Sequence, residues 1–360
     1  MWSHLPFDIL ARIFSFLSPD SLAYAASACK QWHMCATTYV CSRTRSHRSW
    51  FLAMHTRNRG YSCYIHNPVL DRWYLLSLEF LSVQIQPIAA IGSLVLYRYV
   101  NQSPIQLALC NPFTKQNWFL PPLIGSRINP AVGIIGANSG RNTTFKIFVA
   151  GGMSGDNSYE PTLEMYDSRV GIWQSLGSMP IEFAVWLTVW TSNESVYSKG
   201  VLYWITSARA YKVMGYELDS GTWKELNVPM ADRLEFAGLV REKGTLSLVG
   251  GTSEGEAWIW KLGIGEKWVL IERVPSELGK RFFGCRGSWN RTKCIGSDEA
   301  VYLYRDFGSE MLVWREVSEK GRWEWFWVEG CGSIKGEKVA KFPIKGMLFQ
   351  PSLDPSFSLS

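Results

Sequence analysis

One pattern recurs along most of the chain and limits what it can fold into. An alternating apolar strand is followed by a turn, a second strand, another turn and a tryptophan. The anchor tryptophans are Trp73, Trp118, Trp173, Trp223, Trp268 and Trp323. Their successive intervals are 45, 55, 50, 45 and 55 residues, a mean of 50. Because one such unit cannot bury both faces of its sheet but a closed ring can, the period predicts an all-β six-bladed propeller.

The repeat resembles the kelch repeat. Two strands end in a glycine doublet, Gly151-Gly152 and Gly250-Gly251, and two units have a tyrosine, Tyr166 or Tyr216, ahead of the anchor tryptophan. A period near fifty residues is the kelch spacing. We expect the doublets to adopt positive φ and to let blades approach closely. The resemblance implies a kelch-like propeller over residues 46–350, with the tryptophans as framework residues.

The first unit, which begins near Trp50, lacks one strand. Residues 342–349 are strand-like and have no other partner in the repeat. We therefore expect this C-terminal stretch to complete the first blade and close the ring, leaving residues 351–360 as a tail.

The N-terminal stretch follows a helical period instead. Apolar residues at the spacing of one helix face are Ile9, Leu10, Ile13, Phe14 and Leu17. Pro6 is suited to the start of this helix, and Ser18-Pro19-Asp20 ends it and begins a second helix that runs to Cys29. An all-α hairpin this short, within residues 1–45, cannot bury its own apolar faces and needs a partner.

Leu5-Pro6, the apolar stripe and Cys29-Lys30-Gln31-Trp32 together resemble the F-box, over residues 4 to about 42. The resemblance implies a substrate adaptor that docks on the Skp-type subunit of a cullin–RING ubiquitin ligase. The docking residues would be Leu5, Pro6, Ile9, Leu10, Ile13, Leu17, Leu22 and Trp32. The alternative is that the stripe only packs on the rest of the chain. The complete layout resembles plant F-box/kelch proteins.

Prolines follow several anchor tryptophans and precede a polar or aromatic residue. In kelch-like rings these connections border the mouth of the central channel. We expect a target-binding face there that contains Arg127, Phe183, Arg233, Arg281, Phe282, Phe283 and Arg286. Guanidinium groups suit an acidic or phosphorylated partner, and adjacent aromatics suit an interface. The alternative for each arginine is a structural hydrogen bond to loop carbonyls.

Motifs for catalysis are absent from the sequence: there is no G-x-S-x-G, no phosphate-binding loop and no H-E-x-x-H. The five histidines, at positions 4, 33, 47, 55 and 66, leave the later blades without a histidine base. The eight cysteines form no C-x-x-C pair. We therefore expect no enzymatic activity, catalytic residue, cofactor or metal. The rival function is a free-standing propeller scaffold or small-molecule receptor without a ligase.

The net charge of +6 includes a cluster that follows the hairpin, Arg43, Arg45, Arg48, Arg57 and Arg59. Their loose spacing favours a solvated linker over a nucleic-acid or nuclear-import patch, so nucleic acid is not an expected partner. No apolar run reaches the length of a membrane span, and the N-terminus lacks the features of a signal peptide. We expect a protein of the nucleus and/or cytoplasm with reduced thiols.

Overall fold

A computed structural model of the chain describes residues 5–14, 16–17, 19–36, 49–56, 62–68, 70–81, 84–100, 104–139, 142–284, 288–317, 321–334 and 336–351. Within these residues, short N-terminal helices precede six sheets of four antiparallel strands each, one of which gains a short fifth strand. The innermost strand of each sheet contacts the innermost strands of both neighbouring sheets, all the way round. The sheets therefore form a closed six-bladed propeller, which confirms the predicted fold class. The arginine cluster at positions 43–59 lies outside the described residues.

In its described residues, the N-terminal segment contains three helices: α1 (Phe7–Phe14), α2 (Pro19–Ala28) and α3 (Lys30–Cys35). The sequence pattern predicts two. The difference arises at Cys29, whose extended backbone (φ −161°, ψ 166°) separates α2 from α3. The helices share one small core, where the Trp32 ring meets Phe14 edge-on at 5.3 Å between centroids.

Apart from the C-terminal strand that completes blade 1, the first three blades use strands from the first half of the chain. In chain order they are β1 (Trp50–His55), β2 (Ser62–Asn67), β3 (Arg72–Ser77), β4 (Ile85–Ile91), β5 (Leu94–Tyr99), β6 (Leu107–Asn111), β7 (Gln116–Phe119), β8 (Ala131–Ser139), β9 (Asn142–Ala150), β10 (Thr162–Asp167) and β11 (Ile172–Ser178). Blade 1 contains β1–β3, blade 2 contains β4–β7 and blade 3 contains β8–β11.

The remaining blades continue the same order. Their strands are β12 (Thr191–Ser198), β13 (Val201–Ser207), β14 (Tyr211–Glu217), β15 (Thr222–Asn227), β16 (Leu234–Glu242), β17 (Thr245–Thr252), β18 (Ala257–Leu262), β19 (Trp268–Arg273), β20 (Lys293–Gly296), β21 (Ala300–Tyr304), β22 (Asp306–Phe307), β23 (Met311–Glu316), β24 (Trp323–Val328), β25 (Ser333–Ile334), β26 (Glu337–Lys338) and β27 (Phe342–Phe349). Blade 4 contains β12–β15, blade 5 contains β16–β19, and blade 6 contains β20, β21, β23 and β24. Strands β25 and β26 form a small separate hairpin.

Strand β27 closes the ring. It pairs antiparallel with β1, with Trp50 opposite Phe349 and His55 opposite Ile344. It thereby becomes the innermost long strand of blade 1, and the two-residue β22 pairs with its first residues, Phe342 and Pro343. The ring therefore closes at blade 1, as predicted from the strand that the first repeat unit lacks.

Tryptophan side chains join neighbouring blades. The indole Nε1 of Trp173 donates to the Pro121 carbonyl at 2.9 Å, and that of Trp268 donates to the Asn227 carbonyl at 2.7 Å. In both cases the acceptor ends the outermost strand of the preceding blade, or follows it closely. Trp73 makes the equivalent bond across the seam between blades 6 and 1. All six anchor tryptophans pack in or against a hydrophobic cluster, so they are framework residues as predicted.

The two glycine doublets serve different purposes. Gly151 and Gly152 have φ of +66° and +102°, a region that favours glycine. The second doublet lies within β17 without a positive φ, so that part of the prediction is wrong for it. There a Cβ on Gly251 would lie 2.6 Å from Cγ of Trp289. The second doublet is therefore needed for close packing.

The antiparallel order places the connections on two faces. We call the upper face the side on which the outermost strand of one blade leads to the innermost strand of the next. The turns between the third and fourth strands lie on the opposite, lower face. Two upper connections contain helices that the repeat does not predict, α4 (Ile181–Val189) and α5 (Ser276–Phe283). Pro180 and Pro275 directly precede them, and the proline ring fixes φ at −53° and −54° at these two positions.

Candidate functional site

The apolar residues predicted to contact Skp divide into an inner and an outer set. Leu10 and Leu22 are 1% and 6% exposed, because they form the core of the three helices with Phe14. The prediction that Leu10 and Leu22 contact the Skp-type subunit directly is therefore wrong. Both residues support the helices from within. Half-buried against the same core are Leu5, Leu17 and Trp32.

The outer set lies along one side of α1. Pro6 is exposed, and Ile9 and Ile13 have exposed fractions of 44% and 41%. Phe16, just beyond the helix, is 81% exposed and continues the same spacing of three and four residues. We call Pro6, Ile9, Ile13 and Phe16 the outer stripe. The sequence interpretation missed Phe16, although its spacing of three from Ile13 was visible.

A phenylalanine on the lower face links the helices to the propeller. Phe113, in the turn between β6 and β7, packs against the core of the helical segment. Its ring also stacks on Phe349 at 5.7 Å and meets Trp50 edge-on at 6.4 Å between centroids. Trp50 and Phe349 are opposite each other where β1 pairs with β27. The helices therefore lie at the lower face, beside the ring closure.

Arg127 is on the connection between blades 2 and 3 but does not reach the surface. It is 1% exposed, and its Nη1 donates to the carbonyls of Gly151 and Thr162 at 3.1 and 3.0 Å. Its Nη2 forms a buried ion pair with Glu164, which is 2% exposed. The Glu164 carboxylate also accepts two backbone N–H bonds from the same connection, both at 2.8 Å. The prediction that Arg127 contacts a target is therefore wrong; it fixes the connection in place.

Two of the predicted arginines do lie on the surface of the upper face. Arg233 pairs with Glu254 at 2.6 Å, and both side chains are more than half exposed. Arg281, on α5, pairs with Glu329 at 3.2 Å, and its guanidinium carbon lies 3.9 Å from the Trp327 ring centroid. Both guanidinium groups are accessible to an anionic partner.

The aromatic residues of the predicted face are more enclosed than expected. Phe183, on α4, is half-buried and stacks on Trp186 at 5.6 Å between ring centroids. Phe282 is 5% exposed and packs on Trp289. The prediction that it contacts a target directly is therefore wrong. Phe283 is half-buried against the same indole. Arg286 lies outside the described residues.

Two cavities follow the central channel, one of about 380 Å³ in its upper half and one of about 510 Å³ in its lower half. Ile88, Cys294 and Lys345 line both, so they mark the narrowing between the cavities. A Cβ on Gly238 would lie 2.3 Å from the Cys294 sulfur, so the backbone must approach closely there. Sequence reasoning missed this lining because its residues come from different blades.

The described residues offer little reactive chemistry. They contain no group of three or more His, Cys, Asp or Glu residues that could hold a metal ion. Burial raises the pKa of the Cys63 thiol to about 12 and also raises the pKa of Cys110, so both thiols stay protonated and unreactive. In the same part of the chain, no helix has the length and apolar character needed to cross a membrane.

Two family models match the chain. The F-box-like model matches residues 2–43, which include all three N-terminal helices. The Kelch motif matches residues 146–180, which span most of the second to fourth strands of blade 3. The matches fall where the helical period and the tryptophan repeat place them.

The chain is also similar to individual plant proteins. It is 24% identical to Protein UNUSUAL FLORAL ORGANS of Arabidopsis thaliana, over 92% of this chain and 79% of that protein. It is 25% identical to an F-box/kelch-repeat protein of the same plant, over 98% of this chain and 90% of that protein. Among solved structures, a putative 6-phosphogluconolactonase from Bacteroides uniformis aligns with a TM-score of 0.42 at 11% identity, over 84% of this chain and 100% of that one. The chain joins an F-box-like segment to a kelch-type propeller, the layout of the plant F-box/kelch-repeat proteins to which it is similar over most of its length.

Proposed function

We propose that the chain is a substrate-recognition adaptor of a Skp–cullin–F-box ubiquitin ligase. The observation that carries this proposal is the outer stripe: an F-box-like segment whose apolar residues remain exposed although its core is already filled. Exposed apolar rows of this kind mark protein interfaces. Ile9 and Ile13 are already more than half buried, so covering their exposed parts with a Skp-type subunit would contribute roughly 1–3 kcal/mol before the entropy of association is subtracted.

The location of the helices supports separate roles for the two faces, with ligase docking at the lower face and target binding at the upper face. The F-box-like segment packs on the lower face through Phe113, and the accessible arginines belong to the upper face. A ligase bound to the outer stripe would therefore leave the upper connections open to a target protein.

We assign target recognition to Arg233 and Arg281, with Phe183 and Phe283 beside them. Both arginines are paired with exposed glutamates, and such surface pairs contribute little stability. A carboxylate or phosphate on a partner can replace the glutamates at small cost, and it gains bidentate contacts. The expected target surface is therefore acidic or phosphorylated.

The adaptor acts as a tether in this proposal. It raises the effective concentration of the target near the ligase, and it makes and breaks no covalent bond itself. We propose that it works in the nucleus and/or cytoplasm, where cysteines such as the buried Cys63 and Cys110 remain reduced.

A pull-down of a purified Skp-type subunit tests the proposal. The full chain should retain the subunit, and the double variant Ile9→Asp, Ile13→Asp should lose it, because two carboxylates would then face an apolar surface. Ile264→Asp is the matched control, since Ile264 is 100% exposed in a turn on the lower face and lies outside the helices. Circular dichroism checks that each variant is folded.

The alternative function is a free-standing propeller scaffold or small-molecule receptor. A folded wild-type chain that does not retain the Skp-type subunit would overturn the adaptor proposal and favour this alternative. Equal retention by the wild type and the double variant would show instead that the outer stripe is not the docking surface.

A further inference from the structure

The upper cavity of the central channel has a basic lining. Arg98, Lys293 and Lys345 contribute three cationic side chains, against the single carboxylate of Glu235, among the described residues that line it. These residues come from four different blades, so only the closed ring brings them together. The upper cavity has a volume of about 380 Å³, which is within the range of small-molecule sites.

A buried hydroxyl in the same cavity has no partner. Thr292 lines the cavity and is 6% exposed, and its Oγ1 forms no hydrogen bond with any described residue. Buried polar atoms are nearly always hydrogen-bonded, and an unpaired one costs about 1–3 kcal/mol. The Thr292 oxygen itself has almost no accessible surface, so it meets a ligand only if the lining of the cavity shifts slightly on binding.

Two of the three cationic side chains of the cavity, Arg98 and Lys293, are held in position by protein groups. Arg98 donates from Nε to the Gln86 side chain at 2.8 Å and from Nη1 to Asn129 at 3.0 Å. Lys293 donates from Nζ to the Ile344 carbonyl at 2.7 Å. A site whose cations are fixed in advance loses less entropy when a ligand binds.

The one carboxylate of the cavity is also occupied. Glu235 accepts a hydrogen bond from the backbone N–H of Trp289 at 2.9 Å. Burial lowers the pKa of Arg98, which shows that its charge is partly desolvated. An anion in the cavity would compensate that desolvation.

We propose that the upper channel cavity binds a small organic anion that carries carboxylate or phosphate groups. The cations of Arg98, Lys293 and Lys345 neutralise the anion, and the Thr292 hydroxyl donates to one of its oxygens. The inference goes beyond the adaptor function and does not depend on it. The upper half of the channel opens toward the face assigned to target recognition, so a bound anion lies next to the target contacts.

Isothermal titration calorimetry on the full chain tests the site with three probes: citrate, glycerol 3-phosphate and inorganic phosphate. Citrate represents a carboxylate source and glycerol 3-phosphate an organic phosphate source; glycerol is the uncharged control. At least one organic anion should bind with a one-to-one stoichiometry, and glycerol should not. Preference between citrate and glycerol 3-phosphate then identifies the source.

Two variants remove the proposed contacts. Lys345→Met and Thr292→Val should each weaken binding about tenfold, the usual effect of losing a charge-assisted or buried hydrogen bond. Lys267→Met, in an exposed turn on the lower face, makes the same charge change and should leave the affinity unaltered. If Lys345→Met does not fold, the nearly isosteric Thr292→Val decides the result.

Three outcomes would overturn the proposal. The first is that none of the anions binds to the folded wild type at millimolar concentration. The second is that only inorganic phosphate binds. The third is that an organic anion binds equally well to wild type, Thr292→Val and Lys267→Met, since the site would then lie elsewhere.

Discussion

The F-box-like segment and the propeller distribute their apolar side chains in opposite ways. Where the structure describes it, the helical segment buries Leu10, Phe14, Leu22, Cys35 and Ala36 in its core and leaves the outer stripe exposed. The propeller buries large side chains in every blade and joins the blades through clusters that cross each seam. The segment thus leaves apolar surface uncovered, as the adaptor proposal requires, whereas the propeller completes itself.

Deleting strand β27 tests whether the propeller closes on itself, and it has the largest expected effect on stability. Removing residues 342–360 deletes Ile344, Met347 and Phe349, which are 2% exposed or less. We expect a loss of at least about 6 kcal/mol, comparable to the whole stability of many domains, so the propeller should not fold. Urea denaturation followed by tryptophan fluorescence measures the effect. Removing only residues 352–360 is the control, and a cooperative transition in the longer deletion would contradict ring closure by β27.

The buried ion pair of the upper face provides the next largest effect. Arg127→Met leaves the Glu164 carboxylate buried without its cation, and we expect a loss of about 3–5 kcal/mol of unfolding free energy. The exposed Arg233→Met should change it by less than about 0.5 kcal/mol. Adding Glu164→Gln to Arg127→Met should restore part of the stability in urea denaturation. Equal losses in Arg127→Met and Arg233→Met would show that Arg127 is not structural.

Leu10→Ala tests whether the two regions unfold separately. It creates a cavity in the small core of the helices, and we expect a local loss of about 2–4 kcal/mol. Hydrogen exchange followed by mass spectrometry should show faster exchange in residues 7–35 and unchanged exchange in β9 and β17. Ile9→Ala, on the exposed side of the same helix, is the control and should alter neither. Faster exchange in both regions would show that they form one cooperative unit.

The smallest effect concerns the seams between blades. Trp268→Phe removes the indole bond to the Asn227 carbonyl, worth about 1 kcal/mol. Trp323 occupies the equivalent position in blade 6, and its Nε1 has no hydrogen-bond partner among the described residues. We therefore expect Trp323→Phe to destabilise the protein about 1 kcal/mol less than Trp268→Phe does. Thermal denaturation of the two variants compares them directly. Equal decreases in melting temperature would show that the indole hydrogen bond does not stabilise the seam.

The blade architecture could be predicted from sequence because one residue type recurs at a nearly constant interval. The tryptophan period predicts six sheets, and the missing strand of the first unit predicts the pairing of β27 with β1. Both features depend on repetition, which survives when individual positions vary. The N-terminal helices were predictable for the same reason, since their apolar spacing repeats.

The exposure of single side chains could not be predicted in this way. Arg127 and Arg233 occupy equivalent connections, yet one is buried and the other is accessible. The difference is Glu164 on β10, which only the folded loop brings next to Arg127. The helix α4 was hidden because, apart from Glu182 and Thr188, its residues are apolar all round, so no helical period shows in the sequence.

Ring closure by β27 has a consequence for how the protein is made. Every other strand of the propeller precedes β27 in synthesis, so blade 1 has a free strand edge until residues 342–349 emerge. Contacts between residues this far apart in sequence form slowly, and an unpaired edge invites aggregation. A chain that stops before β27 would carry a complete F-box-like segment on an open propeller. Under the adaptor proposal, such a chain would compete with intact copies for the ligase without a closed propeller to bind the target.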